Sequence, residues 1–118
     1  MKIPSALAVL VLLAAILGCV LDTREHEVVY EVKGSASSAS LTYQNQHGDG
    51  EQIETVNLPW QLTRKGKSGD FLYISAQNLG ESGTITTTIS IDGKTVKSTT
   101  SKGGHVIATS STSCCRGD

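Results

Sequence analysis

The 118-residue chain carries ten Lys and Arg against eleven Asp and Glu, a net charge of −1, with 38% hydrophobic and 4% aromatic residues. That length bounds it to one domain, and the balanced charge offers no global positive field for a nucleic-acid backbone, so a nucleic-acid partner is set aside. Much of the aliphatic content precedes Val20 and the remainder is rich in Ser, Thr and Gly, so the folded part is smaller than the length suggests.

The chain begins with one cation, Lys2, an unbroken apolar run from Ala6 to Leu17, then Gly18 and Cys19. This is the layout of a secretory signal peptide, predicted over residues 1–18 and removed by cleavage. Twelve apolar residues fall well short of the ~20 that span a bilayer core, which disfavours a permanent transmembrane helix. Ile16-Leu17-Gly18-Cys19 is similar to the bacterial lipobox, so Cys19 is the expected lipidation site and the expected mature N-terminus. Residues 19–26 then form a short tether on the extracytoplasmic face of a membrane. Cleavage removes Lys2 and leaves nine basic groups against eleven acidic. A mature chain of about 100 residues buries enough surface for one small core, and no cofactor is needed to explain its folding.

Beyond the tether the apolar residues alternate or fall in short runs, and no window sustains helical spacing, so the chain reads as all-β. The expected strands are Glu27–Lys33, Ala39–Gln44, Gln52–Asn57, Asp70–Gln77, Gly83–Ile91, Lys94–Thr100 and His105–Ser110. Ser35 to Ser40 is expected to be a hairpin loop between the first two. Asp92-Gly93 is the sharpest turn signal, because a two-residue Asp-Gly loop supplies the positive φ values of a tight hairpin. In the fifth strand Ile85, Thr87, Ile89 and Ile91 share one face while Thr84, Thr86, Thr88 and Ser90 share the other. One face therefore looks inward and one meets water. The predicted core faces Val28, Tyr30, Val32, Leu41, Tyr43, Ile85, Ile89, Ile91 and Val106 toward one another. About seven short strands suit an immunoglobulin-like antiparallel β-sandwich, here over residues 27–111 with a flexible tail at 112–118.

Along the same chain the candidates for chemistry are sparse. His26, His47 and His105 lack the close spacing of metal ligands, so no metal site is assigned. No nucleophile elbow or phosphate-binding glycine loop occurs, and the pairs Glu25/Glu27 and Glu51/Glu54 sit at strand or loop edges, where carboxylates are solvated. No enzyme activity is expected. Cys114 and Cys115 are adjacent, and a bond between neighbours closes a strained ring; either they bridge to another molecule or they remain an unpaired polar tail. The terminal Arg116-Gly117-Asp118 is too short a match to an integrin-binding tripeptide to carry weight. The cluster Arg64, Lys65 and Lys67 falls in a glycine-containing loop, as a solvated turn or as a contact for lipid head groups or an acidic partner. Trp60 follows Leu58-Pro59 and either caps the core or, if exposed, anchors an interface. Trp60, Arg64, Lys65 and Lys67 are the candidate partner-binding residues.

Several segments together carry a resemblance: Val28-Val29-Tyr30-Glu31-Val32-Lys33-Gly34-Ser35-Ala36, Leu41-Thr42-Tyr43, Asn57-Leu58-Pro59-Trp60, Ser75-Ala76-Gln77 and Ile89-Ser90-Ile91-Asp92-Gly93-Lys94. In this order they resemble the MmpS family, small mycobacterial-type membrane proteins that accompany MmpL transporters. The resemblance spans roughly Glu27 to Ala108. It implies a β-sandwich outside the cytoplasmic membrane that assists an RND-type exporter of lipids or siderophores. The chain departs from the family pattern in two places. A lipidated Cys19 replaces the family's N-terminal transmembrane helix. The family often carries a cysteine five residues before the Asp of the Asp-Gly hairpin, bonded to one near the C-terminus, and here that position is Thr87. The expected function is a membrane-anchored, non-enzymatic transporter accessory, with a stand-alone envelope lipoprotein binding a glycan or protein as the alternative.

Overall fold

The structure is a computed structural model that describes residues 24–115. The expected signal segment and Cys19 lie outside the described residues, as do the last three positions. The described chain forms eight strands and no helix: β1 His26–Lys33, β2 Ser38–Gln44, β3 Gly50–Asn57, β4 Trp60–Gly66, β5 Phe71–Asn78, β6 Thr84–Ile91, β7 Lys94–Lys102 and β8 Ile107–Ser113. They make two four-stranded sheets, ordered β4-β1-β6-β7 and β3-β2-β5-β8, with every pairing antiparallel. This is the antiparallel sandwich that the alternating sequence predicts.

The extra strand is β4. Trp60 and Leu62 alternate with Gln61 and Thr63, and β4 pairs along its whole length with β1, from Val32↔Trp60 to His26↔Gly66. The sequence hides it because its third inward position is Arg64, so the period-2 apolar signal stops after two residues and Lys and Gly follow. A second correction concerns Ser35 to Ser40. β1 and β2 lie in different sheets, so this segment is no hairpin loop: residues 35–37 form the corner where the chain crosses the sandwich, and Ser38 to Ser40 already belong to β2. Gly34 turns that corner with φ 146°, and a Cβ there would collide with the Thr84 carbonyl. The backbone of β1 can approach β6 this closely only without a side chain. The Asp92-Gly93 hairpin is as expected, with φ of 51° and 82° at its two residues.

Val28, Tyr30, Val32, Leu41, Ile85 and Ile89 are fully buried or nearly so, and Tyr43, Ile91 and Val106 pack against them from the rim. All nine stand where the period-2 pattern places them. β5 supplies Leu72, Ile74 and Ala76 from the opposite sheet. Each fully buried aliphatic side chain contributes about 1.5–3 kcal/mol through removal from water. Thr87 is buried too, and its hydroxyl lies 2.8 Å from that of Ser110 on β8, which also donates to the Thr87 carbonyl at 3.1 Å. At the position where the resemblance would place a disulfide cysteine, a hydrogen-bonded hydroxyl pair therefore ties the two sheets together.

The domain also runs further than residue 111. β8 continues to Ser113, Cys114 N donates to the Asp70 carbonyl at 2.7 Å, and Gly69 N donates to the Cys114 carbonyl at 2.8 Å. Cys114 and Cys115 are buried members of the core cluster and no polar tail, with their sulfurs adjoining. Gly66 makes room for them: a Cβ there would lie 2.8 Å from Val28 and 2.9 Å from the Cys114 sulfur.

Candidate functional site

Strand direction decides which loops meet. β1 starts where the tether enters at Arg24, and its first residue pairs with Gly66 at the end of β4. The β2–β3 turn, the Lys67–Asp70 turn, the Asp92-Gly93 hairpin and Cys114-Cys115 all lie at this same end of the sandwich, the tether end. The opposite end holds the Ser35 corner, Leu58-Pro59, and the Leu79–Gly83 and Gly103–His105 connections.

The four candidate residues on and after β4 separate by strand parity. Trp60, Leu62, Arg64 and Gly66 face inward with their β1 partners, while Lys65 faces out. Trp60 is half-buried, with its ring 5.7 Å from that of Tyr43; Tyr43 in turn lies 6.0 Å from Tyr30. The tryptophan therefore caps the core. Its backbone sits five residues up the strand from Lys65, roughly 17 Å at ~3.3 Å per residue, so no aromatic-plus-cation patch forms from Trp60 and the lysines. Burial pushes the Tyr43 phenol above its ordinary value, helped by Glu51 and Tyr30.

Arg64 is not in a solvated loop: it is only 4% exposed. Its Nη1 donates to the Tyr30 hydroxyl at 3.2 Å and the Gln44 carbonyl at 3.0 Å, its Nε to the Lys65 carbonyl at 3.0 Å, and its Nη2 to Asp70 Oδ2 at 3.3 Å. The Tyr30 hydroxyl donates to the Gln44 carbonyl at 2.8 Å and accepts Tyr73 N at 3.3 Å. A buried guanidinium survives only when its donors are satisfied, and here the satisfied group holds β1, β2, β4 and the Asp70 turn in one network.

Lys65 and Lys67 remain exposed. Lys65 Nζ lies 3.5 Å from Glu25, and Lys67 N donates to Asp70 Oδ2 at 2.8 Å. With Gln46, His47 and Asp70 they line a cleft of about 220 Å³. Beside it, Asn45 Oδ1 accepts His47 N at 2.9 Å and Asp49 N at 3.0 Å, an Asx turn that sets the β2–β3 loop. The third turn of this end is fastened by Asp92, whose carboxylate meets His26 Nδ1 at 2.6 Å and accepts Glu27 N at 2.9 Å. The His26 bond, then the Glu27 bond, holds the Asp92 carboxyl below its ordinary value. A depressed carboxyl stabilises the fold above its unfolded pKa near 4 and loses that contribution as pH falls through the lower folded value. We predict that wild type exceeds Asp92→Asn in melting temperature at neutral pH and that the gap closes below about pH 4. Parallel thermal melts at both pH values check this, and a gap independent of pH would contradict it.

His47 and His105 sit at opposite ends of the sandwich, and among the described residues no group of three or more His, Cys, Asp or Glu could hold a metal. Among them, too, no helix is long and apolar enough to cross a membrane. The model of the family described as Mycobacterium membrane protein matches residues 4–115. The chain belongs to that MmpS-type family. No curated protein matches it. Family membership makes it a membrane-associated protein, and the matched range takes in both the apolar N-terminal run and the sandwich through Cys115.

Proposed function

We propose that the protein is a non-catalytic accessory of an RND-type export transporter, held to the extracytoplasmic face of a membrane by lipid on Cys19. The observation that carries the reading is the family match over nearly the whole chain. The tether end supports it. Arg64 with Asp70, Lys65 with Glu25 and His26 with Asp92 are engaged there in ion pairs and turn-fixing hydrogen bonds, the pattern of a rigid contact surface and not of a nucleophile beside a base. Arg64 leaves the set of contact residues, because its guanidinium is used inside the fold. Lys65, outward on edge strand β4, is the residue that reaches the transporter, and Lys67 lies next to it.

The test is photo-crosslinking from position 65 in intact cells, in the wild type and in Cys19→Ala. The expected result is capture of an RND-type transporter by the wild type only, with Cys19→Ala also leaving the membrane fraction, since one uncleaved run of twelve apolar residues anchors poorly. Capture of glycan or unrelated surface proteins alone would point to the stand-alone envelope module. Equal membrane retention of both chains at unchanged mass would remove the lipid anchor.

A further inference from the structure

Phe71, the only phenylalanine, is 52% exposed. It follows the Lys67–Asp70 turn directly, on the outer face of β5 at the tether end, and its ring lies 5.9 Å from that of Tyr73. An aromatic in such a position exposes apolar area that water disfavours, and the placement is rigid. The turn before it is closed by Asp70 N donating to the Lys67 carbonyl at 2.9 Å, by Lys67 N on Asp70 Oδ2 at 2.8 Å, and by the two bonds between Gly69, Asp70 and Cys114. The Asx-turned β2–β3 loop stands beside it, since Phe71, Asp70 and His47 line one small cleft.

The chain outside the described residues says what lies opposite. The polypeptide enters the domain at this end, and the apolar run Ala6–Leu17 and Cys19 precede Arg24. Five residues take the chain from Cys19 to Arg24, a reach of at most ~18 Å when fully extended. Whatever holds Cys19 at a bilayer therefore holds the tether end within that distance of its surface.

We propose that the tether end rests on the lipid surface and that Phe71 inserts among the head groups. This rests on the anchored reading given above. Arg24, Lys65, Lys67 and Lys94 share the end with Glu25, Glu27, Asp49, Glu51 and Asp92, while Arg64 and Asp70 pair with each other, so net attraction to anionic lipid is small. The contact is an apolar one at short range. One aromatic would not retain a free protein, but the tether holds the local concentration of surface high, and a weak contact is then occupied. The sandwich is thereby oriented upright, with β4 and Lys65 turned sideways toward a neighbour in the same membrane.

The test uses the full chain, lipidated and reconstituted into vesicles of phosphatidylcholine, or of equal parts phosphatidylcholine and phosphatidylglycerol, with a fraction of the lipids carrying a nitroxide quencher on the head group. Wild type is its own control, because its one tryptophan, Trp60, packs inward on Tyr43. Phe71→Trp adds an emitter at the tether end, and Ile107→Trp adds one at an equally exposed position of the far end. The expected result is that Phe71→Trp loses most of its added emission in both vesicle types and at high salt, while wild type and Ile107→Trp keep theirs. If the chain floats with the vesicles and the emission added by Phe71→Trp is undiminished, the inference falls and the anchored reading stands. If the chain does not float, both fall. Quenching of Ile107→Trp in place of Phe71→Trp would overturn the orientation. A far-UV circular dichroism spectrum equal to that of wild type in each variant reports that the sandwich is intact.

Discussion

Ile89→Asp is expected to leave the domain unfolded at room temperature. Ile89 is fully buried near the middle of β6, opposite Tyr30 of β1 and Lys97 of β7 in the ladder. Its loss removes about 2–3 kcal/mol of apolar burial. The new carboxylate would then be buried without a partner, because the one buried guanidinium among the described residues, Arg64, is already committed to Tyr30, Gln44 and Asp70. An uncompensated buried charge adds several kcal/mol more, and a domain of this size holds only about 5–15 kcal/mol in total. Thr86→Asp, on the opposite face of the same strand, is expected to cost under about 1 kcal/mol, the Thr86–Thr100 hydroxyl contact at 2.8 Å being at the surface. Far-UV and near-UV circular dichroism with urea titration of the two variants distinguishes the faces. A natively folded Ile89→Asp beside an unfolded Thr86→Asp would mean that β6 is turned over.

That contrast is legible in the sequence because Ile85, Ile89 and Ile91 keep the period of β6 with one hydroxyl, Thr87, among them, and because one register slip would reverse every side chain. The same holds for β1, and for the β6–β7 hairpin, where Asp-Gly names its own turn. Legibility fails where a polar residue occupies an inward position. Arg64 breaks the apolar alternation of β4, and only the Gln44 carbonyl and the Tyr30 hydroxyl, both distant in sequence, show why it is tolerated. Trp60-Gln61-Leu62-Thr63 is the signal available for β4, masked because Pro59 precedes it and glycines follow. Cys114 and Cys115 are hidden for a similar reason: nothing local places them beside Val28 and Gly66. Of the candidate site, the pairing of Lys65 with Lys67 is plain from the sequence. That Trp60 turns inward is not, nor is the return of Phe71, far along the chain from the tether, to the tether's own end, since both depend on strand order.

Arg64→Ala is expected to destabilise the domain by about 3 kcal/mol, at the lower end of the cost of breaking a buried charge network. The low end applies because the partners are unequally stranded. Asp70 is partly exposed and keeps its bond from Lys67 N, so its carboxylate rehydrates. The Gln44 carbonyl keeps the Tyr30 hydroxyl at 2.8 Å. What is lost is the guanidinium's bond to the Tyr30 hydroxyl, its stem packed under β1, and the link that fixes the Asp70 turn to β2. Arg64→Lys is expected to recover only part of this, since a single ammonium cannot serve acceptors on three segments in the directions that the planar fork reaches. Urea unfolding measures both variants; the midpoint should fall at unchanged slope, as expected when stability changes and compactness does not. The network itself is tested by adding Tyr30→Phe. If Arg64 and Tyr30 act through one bond, the double variant loses less than the sum of the two single losses, by about 0.5–3 kcal/mol. Strict additivity would mean that Arg64 and Tyr30 do not act through one bond, and an Arg64→Ala midpoint equal to wild type would mean that the guanidinium lies in water and that β4 is held by its backbone ladder to β1 alone.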